Sequence, residues 1–171
     1  MWQRQRAAGS YTDDTAEGHR PRRPRKTALM MAVDLLARQE QSEQKLREKL
    51  ARKGYEPEEI DKAVARLIEK HYLNDEDACA RQFEFLYQES RSSVRQITIK
   101  LRQRGFDNNL IRECIPTDTF EREKAAALRV LALKYKPSAD RQKMMANLYS
   151  KGFDSSAIRA AVAEFAADDS D

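Results

Sequence analysis

Very little in this chain of 171 residues belongs to the vocabulary of catalysis. It has two histidines, His19 and His71, and two cysteines, Cys79 and Cys114, with none of the spacings that hold a metal. No phosphate-binding glycine loop, dinucleotide fingerprint or Gly-x-Ser-x-Gly turn occurs. Glycine and proline number five each, too few for an all-β fold built on tight turns. The longest apolar run, Ala28 to Leu36, is interrupted by Asp34 and falls short of the roughly 20 residues that cross a bilayer. The N-terminus carries no apolar signal core. These absences predict a soluble, cytoplasmic protein that is not an enzyme, takes no cofactor, metal or membrane partner, and keeps its cysteines as free thiols. Carboxylates are plentiful, but they fall in first turns of helices and on exposed faces, where capping and solvation account for them.

What the chain has in quantity is charge, at 35% of residues, with a net +4. The excess is local. Residues 1–27 hold seven basic groups (Arg4, Arg6, Arg20, Arg22, Arg23, Arg25, Lys26) against Asp13, Asp14 and Glu17, and the remainder balances at 25 of each sign. Residues 1–26 show no apolar period and contain Gly9, Gly18, Pro21 and Pro24, so they read as a disordered basic tail. The cluster Arg20 to Lys26 suits phosphates or an acidic protein surface, or serves as a solubilising extension.

The chain also repeats itself. Leu46, Leu50, Gly54, Tyr55 and Ile60 recur 51 positions later as Ile97, Leu101, Gly105, Phe106 and Ile111. A further 47 positions on they recur as Met144, Leu148, Gly152, Phe153 and Ile158. A basic residue precedes each Gly and an acidic residue follows each aromatic. A fixed period of this size marks a repeat architecture. The expected fold is all-α, three tandem three-helix repeats in an elongated, curved array: repeats at 27–73, 74–116 and 117–166, with an acidic tail at 167–171.

Local signals place the helices. The first carries Met30, Val33, Leu36 and Ala37 inward. Ser42 caps the second, and Gly54 ends it by adopting the left-handed conformation that a helix C-terminus often requires. Glu56 and Pro57 open the third, with Ile60, Val64, Leu67 and Ile68 inward. In the second repeat Asn74 or Asp75, Ser92 or Ser93, and Asp107 are the caps. In the third, Thr117 or Asp118 opens a helix bearing Leu128, Leu131 and Leu133, followed by caps at Ser138 or Asp140 and at Asp154. Tyr55, Phe106 and Phe153 are expected to clasp the turns, with base stacking the competing reading.

The middle helices carry the candidate contact surface. Lys45, Lys49 and Arg52 share one flank of the Leu46/Leu50 seam, with Arg47 and Lys53 beside them. In the second repeat Arg95 and Arg102 point away from Ile97 and Leu101, with Lys100 and Arg104 around them. Such faces can track a phosphate backbone or an acidic protein groove. A solvated face balanced by the acidic third helix is the alternative. The third repeat offers only Arg141, Lys143 and Lys151 and is expected to contribute more through shape than through charge.

One family shares this pattern. Leu35-Leu36-Ala37-Arg38, then Ser42, Lys45-Leu46-Arg47-Glu48-Lys49-Leu50 and Lys53-Gly54-Tyr55, resembles the opening module of the RecX proteins, bacterial regulators of the RecA recombinase. Tyr72-Leu73-Asn74-Asp75 resembles that family's Tyr-Leu-Asp-Asp segment, and Ile97-x-x-x-Leu101-x-x-x-Gly105 its second module. His71 stands where the family has Gly. The resemblance covers about residues 28–166. It implies a monomeric regulator, without catalytic residues, that binds RecA nucleoprotein filaments and DNA, single- or double-stranded. It further implies restraint of RecA's ATP hydrolysis, strand exchange and co-protease activity. A stand-alone helical DNA-binding protein is the alternative.

Overall fold

A computed structural model of the chain describes residues 25–167, and all regular structure among them is helical. The readings placed on residues 1–24 and 168–171, including the basic tail and the last acidic residues, lie outside the described residues. The helices are α1 (Ala28–Arg38), α2 (Glu43–Arg52), α3 (Pro57–Glu69), α4 (Asp75–Glu89), α5 (Val94–Gln103), α6 (Asn108–Glu113), α7 (Phe120–Lys134), α8 (Arg141–Ser150) and α9 (Ser155–Ala167).

The middle helix of each trio ends in one motif. Gly54, Gly105 and Gly152 have φ of +78°, +86° and +75°. The aromatic after each Gly returns its amide to Leu50, Leu101 or Leu148, and the Gly amide bonds the carbonyl three residues back. This is the paired bonding of a Schellman cap, which satisfies carbonyls the helix leaves open. His71 makes the same turn after α3 at φ +57° without being glycine, and Tyr72 and Leu73 both return their amides to the Leu67 carbonyl.

Each trio builds its own core, and the closest helix packing lies within trios. Leu46, Leu50, Tyr55, Ile60, Val64 and Leu67 form the first core. Phe83, Leu86, Ile97, Leu101, Phe106 and Ile111 form the second, and Leu131, Met144, Leu148, Phe153, Ile158 and Phe165 the third. Every repeat-defining position other than the glycines is buried.

Several expected faces are rotated. In α1, Met30 and Val33 are 55% and 46% exposed and Ala37 is turned away from the core, while Ala28 and Ala32 are buried and Met31, Leu35 and Leu36 pack beside them. The true stripe runs through two alanines, whose small side chains admit α3 closely, and the larger residues flank it. Ile68 (45% exposed) lies outside the α3 stripe of Ile60, Ala63, Val64 and Leu67, and Leu133 (67% exposed) lies on the outer side of α7. The N-cap of α7 is Thr119, and Asp118 accepts the Phe120 amide at 2.9 Å, so the helix opens one to two residues later than the spacing suggests. Arg25 and Lys26, assigned to the tail, dock on the first trio. Arg25 stacks over the Tyr55 ring at 4.3 Å, and the Lys26 carbonyl accepts the Tyr55 hydroxyl at 2.7 Å.

Candidate functional site

The nine cations read as a contact surface divide by helix. On α2 the charge is largely answered within the first trio. Lys45 Nζ lies 2.7 Å from Glu48, and Arg47 bonds both Glu43 (2.7 Å) and Asp61 of α3 (2.5 Å). The Lys45 ammonium lowers the Glu48 carboxyl below its ordinary value, and bonding to Glu43, then Asp61, raises Arg47. Lys49, Arg52 and Lys53 have no carboxylate partner among the described residues. On α5, a helix without an acidic residue, Arg95, Lys100, Arg102 and the adjoining Arg104 are all unpaired with carboxylates among the described residues. Lys100 instead donates to the Ser92 hydroxyl at 2.6 Å and Arg104 to the Gln82 amide oxygen at 2.7 Å.

The fold brings these cations together in a way their spacing does not show. Buried Ser42 caps α2 by accepting the Lys45 amide (3.2 Å), and its hydroxyl proton goes to the Arg104 carbonyl (2.7 Å) in the next trio. Buried Ser93 does the same one trio on, accepting from Gln96 (3.1 Å) and donating to the Lys151 carbonyl (2.7 Å). Each of these two middle helices therefore receives the Gly turn of the following trio on its first turn. A Cβ on Gly105 would sit 2.6 Å from Ser42 Oγ, and one on Gly152 would sit 2.8 Å from Arg95 Cδ. The glycines thus permit both a left-handed turn and a close approach. Lys45 is set beside the Arg104 turn and Arg95 beside the Lys151 turn. The first trio's equivalent carbonyl, that of Lys53, takes Arg25 Nη2 at 2.8 Å.

A carboxylate completes each joint. Asp75 of α4 accepts the first amide of α2 (Glu43, 2.7 Å), and Glu123 of α7 accepts the first amide of α5 (Val94, 2.6 Å). Burial raises the Asp75 carboxyl above its ordinary value, against the lowering effect of the Glu43 amide. Glu123 also accepts the Asp154 amide at 3.2 Å. Beside it, Arg122 runs behind the α4–α5 connection and donates to the carbonyls of Tyr87 (2.8 Å), Ser92 (2.5 Å), Ser90 (3.2 Å) and Leu86 (3.3 Å). Its guanidinium covers the Tyr87 ring at 4.6 Å. Burial pulls Arg122 down from the usual arginine range, and Glu123 at 3.7 Å counters this. These joints join residues 62 and 58 positions apart. The sequence signal that could have found them is the recurrence of a cap at the repeat spacing, Ser42, Ser93 and Asp140, in which only serine can accept and donate at once.

Cys79 and Cys114 are unbonded, with Sγ atoms 4.0 Å apart, and burial followed by the neighbouring Cys114 pushes the Cys79 thiol up to about 12. Among the described residues no cluster of three or more His, Cys, Asp or Glu could hold a metal, and no helix is long and apolar enough to cross a membrane.

Tandem helical trios joined head to tail, with cationic turns at their joints, define a modular, all-helical repeat protein. The first three-helix domain of RecX matches residues 28–67. The regulatory protein RecX of Chlorobaculum tepidum is 32% identical over 141 residues, 80% of this chain and 86% of that protein. That of Syntrophotalea carbinolica is 31% identical over 119 residues (70% and 78%), and that of Neisseria meningitidis serogroup A is 30% identical over 146 (82% and 92%). The crystal structure of RecX from Lactobacillus salivarius superposes with a TM-score of 0.70 at 19% identity, covering 81% of this chain and 94% of that one. A second crystal structure of a regulatory protein RecX gives 0.67 at 22% identity, covering 77% and 69%. The chain belongs to the RecX family of regulatory proteins.

Proposed function

We propose that this protein regulates the RecA recombinase, binding RecA filaments on DNA as a monomer in the cytoplasm and restraining ATP hydrolysis, strand exchange and co-protease activity. The observation that carries the reading is family membership along most of the chain, at 30–32% identity to regulatory proteins named RecX. Its physical support is the tandem build. Joined modules present several weak contacts at once, and linkage converts them into avidity that one module alone would lack. The contact residues we assign are six of the seven cations without carboxylate partners, Lys49, Arg52 and Lys53 on the first trio and Arg95, Lys100 and Arg102 on the second; the seventh, Arg104, is taken up by Gln82. Lys45, Arg47 and Arg104 hold the modules in shape.

The test is a titration of this protein into RecA turning over ATP on single-stranded DNA. A dose-dependent fall in turnover and in strand exchange is expected; no change in either would overturn the proposal.

A further inference from the structure

A groove of about 700 Å³ opens between the second and third trios. Five cations line it: Arg91 before α5, Lys100 on α5, Arg129 and Lys134 on α7, and Lys151 at the Gly turn after α8. One carboxylate, Glu89, faces them. None of the five is in an ion pair among the described residues. The sequence outside the N-terminal segment is neutral in sum, so this is a strong local segregation of charge. The third module, expected to contribute mainly shape, supplies three of the five, because α7 adds Arg129 and Lys134 to Lys151.

The wall of the groove is held in place from behind. Arg122 fixes the carbonyls of Ser90 and Ser92 in the connection that carries Arg91, and Lys100 is tied to the Ser92 hydroxyl. Little ordering cost therefore remains for the wall when a ligand enters. Val130 and Leu133 give the α7 side an apolar strip, and no aromatic side chain lines the groove.

We propose that this inter-module groove binds the phosphodiester backbone of a nucleic acid. Cations drawn from four separate segments match a ligand with charge repeated along its length, such as a run of phosphates. Without an aromatic platform the groove cannot stack bases and its cations meet phosphates, which carry no sequence information, so binding is indifferent to sequence. The inference deepens the RecA reading, in which the filament itself contains DNA, by placing the chain's own DNA contact.

The test uses the full chain and no recombinase. Anisotropy of a labelled single-stranded oligonucleotide of about 20 residues is followed across a salt series. The variant Arg91→Ser/Arg129→Ser is expected to weaken binding about tenfold at about 100 mM salt and to lower the log–log salt slope by about 1.4, roughly 0.7 for each phosphate that is no longer neutralised. The control Lys62→Ser/Lys70→Ser, at two exposed lysines on and just after α3, should stay within about twofold of wild type. Equal weakening in both variants would overturn the groove as the site. A second readout needs no variant: amine acylation of Lys100, Lys134 and Lys151 in the wild-type protein. Protection by the oligonucleotide, and not by tripolyphosphate or polyglutamate at equal charge, supports the proposal. Equal protection by tripolyphosphate would reassign the groove to short polyphosphates, and equal protection by polyglutamate to an acidic protein; either overturns it. Unaltered oligonucleotide binding by the groove variant, alongside intact restraint of RecA, would sink the groove and leave the regulatory reading standing.

Discussion

The joint between the first and second trios and the joint between the second and third share a plan and differ in construction. Both seat a Gly turn on a serine cap and answer a helix N-terminus with a carboxylate from the next trio. The second joint is sealed by a charge pair whose carboxylate is buried and whose guanidinium is nearly so. Glu123 is 3% exposed, and Arg122 beside it satisfies four carbonyls. The first joint has no such pair. Arg81 meets Glu40 at 2.5 Å in the open, and the buried Gln41 amide finds no partner among the described residues. A buried charge pair is costly to break because a surviving partner is left without compensation, whereas an exposed pair contributes little. The first trio is therefore the more easily detached, and the second and third behave more nearly as one body.

Removing the acid that seals the second joint tests this most severely. Glu123→Ala orphans the Val94 and Asp154 amides and leaves the largely buried Arg122 charge without its carboxylate, at a cost of about 3–5 kcal/mol. Arg81→Ala at the first joint should cost about 0–1 kcal/mol. Urea midpoints of the two variants measure the difference, and equal shifts would show that the joints are not unlike. Next comes the glycine wedge. Gly105→Val adds a β-branched side chain at φ +86° with its Cβ against Ser42, so its cost exceeds the roughly 1–2 kcal/mol of an ordinary left-handed residue. Gly54→Ala meets only Arg25 at 3.6 Å and should stay within that range. A thermal midpoint for Gly105→Val equal to wild type would deny Gly105 both of its roles.

A gain is expected at His71. Its φ of +57° places a side chain where glycine carries no penalty, so His71→Gly should stabilise by up to about 1 kcal/mol, read as a higher thermal midpoint. The smallest effect is one of pH at the first joint. The Asp75 carboxyl is raised in the folded chain, so its ionised form works against folding at neutral pH. As pH falls through that raised value, the wild type takes up the proton and recovers the loss. Asp75→Asn should therefore compare most favourably with wild type near pH 7 and lose that advantage toward pH 3, in paired thermal melts. An advantage that grew with acidity would reverse the sign assigned to Asp75.

The turns and caps are legible in the sequence because their chemistry is local. Only glycine takes φ near +80° without penalty, so Gly54, Gly105 and Gly152 announce themselves, as do Ser42 and Ser93 ahead of their helices. The α1 face is not legible in the same way. Side-chain size is a poor guide to burial there, because Ala28 and Ala32 make the close contact. Nor can spacing show that Arg47 is answered by Asp61, which lies on the next helix, or that α7 turns Arg129 and Lys134 toward α5. Charges are easy to count along a chain, but their partners are set by packing between elements.

The serine joint also has polarity, with a socket at the start of one middle helix and a plug at the Gly turn of the next. Joints of this head-to-tail kind carry no intrinsic stop and, between molecules, would propagate as open fibres. The described chain ends on a blocked position at each side. The Lys53 plug is already occupied by Arg25, and the socket at Asp140 has a carboxylate that accepts the Gln142 amide at 2.8 Å but, when ionised, has no proton to give. Asp140→Ser would supply at the third trio the hydroxyl proton with which Ser42 and Ser93 hold a Gly turn, so the same cap chemistry shows how a further module could be docked there.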